Sequence, residues 1–198
     1  MMTDVFKPQK KFTNEEIISA ITFLDQVGKL TDEELKERDL QIGEVQKVNH
    51  FLGAVWNNES TMLPKQASTL LRLTPLLAQR GSTTVHNVIL SAMPKVLEAY
   101  GKTTELTERK SYVDAIKTAG MVCMNRRLVA TTRDNRLKEL QMFEPFIGET
   151  PTYREAKARF FKRRGPSAGL LRSLNQQPAN TVRRYTYNGA HINRSSYG

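Results

Sequence analysis

The chain has 198 residues, a size suited to one domain or one domain with an arm. Its single Cys excludes a disulfide framework, a Cys-rich zinc module and a CxxC redox site, and its three scattered His argue against a His-based metal site. Thirty Lys and Arg against twenty Asp and Glu leave a formal charge of +10, which favours a binding or assembly protein over an enzyme.

In chain order, residues 1–12 form a polar N-terminal arm with Lys7, Lys10 and Lys11. The arm has no apolar core of a secretory signal, so the sequence predicts a reducing, intracellular location. Thr13-Asn14-Glu15-Glu16 is a capping-box pattern that starts a helix. Ile17, Ile18, Ile21, Leu24 and Val27 follow at helical spacing and Gly28 stops the run. Thr31-Asp32-Glu33-Glu34 repeats the start signal. One apolar stripe then runs through Leu35, Ile42, Val45, Val48, Leu52 and Val55 to Trp56.

Pro64 opens the next helix, where its missing N–H costs nothing. Thr74-Pro75 reads as an interruption and Gly81 as the end. Residues 84–100 are the best amphipathic stretch, with Val85, Val88, Ile89, Ala92, Met93, Val96 and Leu97; Pro94 predicts a kink or a split there. Thr107 caps a long helix expected over 108–130, and a shorter one follows over 133–143. Pro145 and Gly148 mark a boundary. Thr152-Tyr153-Arg154-Glu155 gives a third capping box for a short basic helix ending at Arg164. Residues 165–198 have the Gly, Pro, Ser, Asn, Gln and Arg content of an arm that stays extended until it docks. The expected fold is all-α: a body of six to seven helices over 13–148, then a basic C-terminal helix and extended arm over 149–198.

Motifs for chemistry are scarce. Gly101-Lys102-Thr103-Thr104 resembles the end of a P-loop, but Val96 stands where that loop needs Gly and a helix precedes it. His50, His86 and His191 have no ligand at i+3 or i+4 and read as ordinary imidazoles. Cys123, between Val122 and Met124, reads as a core thiol, with nothing local to depress its pKa. Arg126, Arg127, Arg133, Arg136 and Lys138, partly offset by Asp134 and Glu139, read as a solvated basic face or, alternatively, as the wall of a groove that the arm extends. No catalytic residue, metal site or cofactor is expected.

The charge is unevenly placed. Residues 151–198 hold ten basic side chains and one acid, Glu155, so they carry nearly all the excess. Arg154, Lys157, Arg159, Lys162, Arg163 and Arg164 crowd one short helix, and Arg172, Arg183, Arg184 and Arg194 continue at wider spacing. Arg predominates, which suits bidentate phosphate contacts. Tyr185 and Tyr187 stand among these cations, and rings on which bases stack, combined with phosphate contacts, are the means of single-strand binding. These twelve residues are the expected nucleic-acid-binding set.

The expected function is a structural nucleic-acid-packaging and assembly protein of coat or nucleocapsid type, with single-stranded RNA favoured, located in the virion if viral. Its partners would be nucleic acid, copies of itself in a large homo-oligomer and another virion protein. This plan is similar in outline to the coat proteins of flexible filamentous RNA viruses, all-α bodies with extended arms, and no site residue is carried over from that outline. The alternative is a virion connector or head-to-tail adaptor whose arm docks on a neighbouring ring protein. No apolar run approaches the roughly 18–20 residues of a membrane span, so no membrane partner is expected.

Overall fold

The computed structural model describes residues 10–125, 131–162, 183–187 and 190–194. Its backbone contacts divide it into two compact units, Met1–Glu149 and Thr150–Gly198. Eight helices are present among the described residues, and the body is all-α. None of these helices is long and apolar enough to cross a membrane.

The first unit contains α1 (Asn14–Gly28), α2 (Asp32–Glu37), α3 (Ile42–Trp56), α4 (Pro64–Arg80), α5 (Ser82–Lys102), α6 (Leu106–Cys123) and α7 (Arg133–Ile147). Both N-terminal capping boxes form as the sequence predicts. Glu16 N–H donates to Thr13 Oγ1 at 3.2 Å, and Glu16 Oε2 accepts from Thr13 N–H at 2.9 Å. Thr31 and Glu34 repeat the exchange at 3.2 and 2.7 Å. Each box satisfies two backbone donors that the first helical turn leaves without partners.

The stripe from Leu35 to Val55 is not one helix. Arg38 has extended backbone, and α3 restarts after Gln41. The break is held from a distance: Arg80 Nε donates to the Leu40 carbonyl at 3.0 Å, and its Nη2 donates to both oxygens of Asp39. Leu40 is thereby turned into the core. Arg72 does the same for the preceding turn, donating to the Leu30 carbonyl at 2.6 Å and to Asp32 at 2.9 Å.

Helix α4 is the centre of the unit and packs against α1, α3, α5 and α6. Leu70, Leu71, Leu73 and Leu77 are fully buried, and so is Thr74. Pro75 does not interrupt it. Proline withholds the N–H due to the carbonyl four residues back, here that of Leu71. Thr74 Oγ1 donates to that carbonyl at 2.6 Å and replaces the missing bond. Pro94 and Pro145 likewise lie inside continuous helices, so neither the expected split of α5 nor the boundary at Pro145 occurs. Gly81 joins α4 to α5 at φ +154°, a backbone conformation open to glycine and strained for other residues.

Helices α6 and α7 close the other side. At Gly120 an added Cβ would lie 2.8 Å from Ile147 Cδ1 and 2.9 Å from Phe143 Cδ1, so the two helices approach through a missing side chain. Helix α6 starts at Leu106 after Glu105, without a side-chain cap, rather than after Thr107. It ends at Cys123; Arg126, Arg127 and Leu128, which the sequence placed on its continuation, lie outside the described residues.

In the second unit α8 spans Pro151–Lys162. Its first turn is capped by Thr150, whose Oγ1 accepts from Tyr153 N–H at 3.3 Å, and not by Thr152 as the sequence suggested. The backbone of Arg183–Tyr187 (β1) pairs antiparallel with Ala190–Arg194 (β2), setting Arg183 opposite Arg194.

Candidate nucleic-acid interface and a buried polar cluster

The expected binding residues fall in the second unit. On α8, Arg154 and Lys162 are exposed, while Lys157 and Arg159 are half-buried. Arg159 pairs with Glu155 at 3.2 Å, and Lys157 Nζ stands 5.9 Å from the centre of the Tyr153 ring. Phe160 and Phe161 meet edge to face at 5.4 Å. Arg183, Arg184, Tyr185, Tyr187 and Arg194 occupy the hairpin strands, and β2 brings Arg194 back beside Arg183. Arg163, Arg164 and Arg172 lie outside the described residues.

The body contains a polar cluster that local sequence spacing does not reveal. His86 from α5, Cys123 from α6 and Glu139 from α7 bring one ligand-capable atom each to within 4.8 Å of one another, and all three are buried. His86 Nδ1 is 2.6 Å from Glu139 Oε1. Arg136, read from sequence as part of a solvated basic face, turns inward. Its Nη1 donates to Glu139 Oε2 at 3.1 Å, to the Cys123 carbonyl at 2.8 Å and to Cys123 Sγ at 3.4 Å.

Burial pushes the Cys123 thiol well up, and the neighbouring Glu139 charge pushes it further. Burial alone would raise the Glu139 carboxyl, but the His86 bond and charge, with Cys123 and Arg136, hold it below its ordinary value. A His, a thiol and a carboxylate are together a plausible donor set for a borderline metal such as zinc. Here, however, a guanidinium nitrogen already lies among the donors and supplies the positive charge the carboxylate needs. The cluster's chemistry is that of a polar lock joining α5, α6 and α7. The clue in the sequence was Glu139 on the same helical face as Phe143, four residues on, and His86 next to Val85 on the apolar stripe of α5.

A second feature is an open groove of about 1020 Å³ walled by α3, α5 and α7. Asn49, Asn87, Asn135 and Gln141 line it, with Leu52, Leu90, Pro94, Met142 and Trp56 as its larger, apolar part. Trp56, the only Trp of the chain, stands on its rim and is 75% exposed. Lys138 is the one charged residue of the lining, which contains no carboxylate. Next to it, Gly53 leaves room for the Phe12 ring, since an added Cβ would lie 2.6 Å from that ring. Phe12 N–H also donates to Glu59 at 3.1 Å and Asn57 donates to the Lys10 carbonyl at 3.0 Å, so the last residues of the N-terminal arm lie along the end of α3. Sequence reading gave no role to Trp56 beyond closing a helix.

No known protein family, curated protein or solved structure matches the chain.

Proposed function

We propose that this protein is a structural nucleic-acid-packaging and assembly protein, with single-stranded RNA as the favoured cargo. The observation that carries the reading is the segregation of charge. Residues 150–198 hold ten of the thirty basic side chains and one of the twenty acids, a net charge of +9 out of +10. The division between the two compact units falls at Glu149 and Thr150. A near-neutral helical body can pack beside copies of itself without strong self-repulsion, while a strongly basic segment needs an anionic partner. Arg-rich composition with interleaved Tyr suits phosphate contact and base stacking together. On the body, Ile18, Ile42 and Leu106 are large apolar side chains more than half exposed, which supplies material for contacts between subunits.

The test is light-scattering mass across a size-exclusion run, with absorbance at 260 and 280 nm, on protein purified without nuclease. A large species rich in 260 nm absorbance is the expected result. A nucleic-acid-free monomer or small closed ring would defeat the packaging reading and favour a connector whose arm docks on protein.

A further inference from the structure

We propose that the groove between α3, α5 and α7 binds unstacked bases of a single-stranded nucleic acid, with Trp56 as the stacking platform and the amides of Asn87, Asn135 and Gln141 meeting base edges. This deepens the nucleic-acid reading above and rests on it: it adds a site on the near-neutral body, separate in chemistry from the basic residues of the second unit.

The first argument is the indole. A large aromatic surface left 75% exposed on a groove rim is a ready face for stacking, and every base offers a π-face to it. Among the described residues, Trp56 has no ring or cation partner. The second is the amides. Asn49 accepts from Thr84 at 3.2 Å, but the side chains of Asn87, Asn135 and Gln141 make no hydrogen bond among the described residues. Each offers a donor and an acceptor side by side, the pattern that pairs with a base edge.

The third is backbone. Pro94 withholds the helical N–H due to the Leu90 carbonyl, and Pro145 withholds the one due to the Gln141 carbonyl. Leu90 and Gln141 both line the groove. Two of its walls therefore contain carbonyls without their usual i+4 donor.

Charge and size choose the occupant. A lining with one Lys and no carboxylate tolerates a polyanion, yet a single cation does not track a run of phosphates. That combination fits bases in the groove and phosphates outside it. The volume of about 1020 Å³ is at the top of the roughly 300–1,000 Å³ range of small-molecule sites, so it has room for more than one base.

The single Trp makes the test direct, because its emission reports on the groove alone. Full-length protein is titrated with fluorescein-labelled 12-nucleotide oligoadenylate and oligouridylate, and separately with polyphosphate of similar charge. Label anisotropy follows binding anywhere on the chain, and Trp emission follows the groove. The expected result is quenching that saturates together with anisotropy for the oligonucleotides and is absent with polyphosphate. Trp56→Ala, at an exposed position, should keep the parent's melting curve and weaken oligonucleotide binding about 5- to 150-fold, the equivalent of ~1–3 kcal/mol for one stacked base. Trp56→Phe should recover most of the loss.

If the oligonucleotides bind by anisotropy with unchanged Trp emission, and Trp56→Ala binds within twofold of the parent, the groove proposal is overturned while the packaging reading stands. Equal quenching by polyphosphate also overturns it, since bases would then be unnecessary. A change of oligomeric mass in Trp56→Ala with no change in oligonucleotide affinity would reassign the groove to a protein contact and overturn it. Absence of oligonucleotide binding in both readouts removes the packaging reading, and this proposal with it.

Discussion

Replacing Glu139 by Gln tests the polar lock in the body. The substitution keeps the shape of the side chain, removes its charge and turns one acceptor oxygen into an amide donor. In the parent, Glu139 is fully buried, with one oxygen 2.6 Å from His86 Nδ1 and the other 3.1 Å from Arg136 Nη1. Breaking a buried ion pair by neutralising one partner costs about 3–5 kcal/mol, because the other charge is left uncompensated. The Arg136 side chain is 21% exposed and regains some hydration, which places the expected loss near the lower end, about 3 kcal/mol. For a chain of this length about 1 kcal/mol moves the melting temperature by roughly 2–4 °C, so Glu139→Gln should melt roughly 6–12 °C lower by circular dichroism. Lys138→Gln, at an exposed position one residue earlier, is the control and should stay within about 0.5 kcal/mol of the parent.

The pH dependence has a definite sign. The folded-state carboxyl of Glu139 is held below its ordinary value of 4.5. The folded protein therefore binds that proton less readily than the unfolded chain, and the charge stabilises the fold above pH 4.5. That contribution is lost as pH falls through the folded-state value, so the gap between parent and Glu139→Gln should narrow in acid. A Glu139→Gln protein that melts with the Lys138→Gln control at neutral pH would refute the lock.

Thr74→Val removes the hydroxyl that serves the Leu71 carbonyl above Pro75; an unsatisfied buried acceptor should cost about 1–3 kcal/mol, read from the urea midpoint at unchanged slope. Gly120→Ala puts a methyl group 2.8 Å from Ile147 and 2.9 Å from Phe143, and overpacking should cost about 1–3 kcal/mol in the same assay; a neutral result would mean that α6 and α7 part easily. For the second unit, the joint replacement of Arg183 and Arg184 by Gln should flatten the slope of log K against log salt by about 1.4 for single-stranded RNA, from about 0.7 per phosphate contact. An unchanged slope would remove the hairpin from the phosphate interface.

What was legible in the sequence was local. The boxes at Thr13 and Thr31 are complete within four residues. The break before α3 was not legible, because Arg80 fixes the Leu40 carbonyl from 40 residues away. The three prolines misled for a related reason. A proline costs a helix one bond and a steric clash, but Pro75 has Thr74 beside it to repair the bond, and packing around α4 keeps the helix continuous. The polar lock joins His86 and Glu139 across 53 residues, beyond the reach of any i+3 or i+4 search. A carboxylate on the face of α7 that also bears Leu140 and Phe143 was the available sign. A buried acid on an apolar face must have a partner, and polar residues on the apolar stripes of other helices are where that partner is found.

The two proposed modes of nucleic-acid contact differ in thermodynamic signature, and so can be separated within one protein. Phosphate contacts by the basic second unit release counterions, so they set the slope of log K against log salt. Stacking on Trp56 and amide contacts in a groove with one Lys release almost none, so they set the height of that line and not its slope. Trp56→Ala should therefore displace the line downward in parallel, while the Arg183 and Arg184 replacements should tilt it. Base identity should matter in the first case, because purines stack over a larger area, and should not matter in the second. A Trp56→Ala line that tilts would mean that the indole orders a charged segment and does not hold a base. Parallel displacement for one variant and tilt for the other would assign bases to the helical body and phosphates to the basic segment.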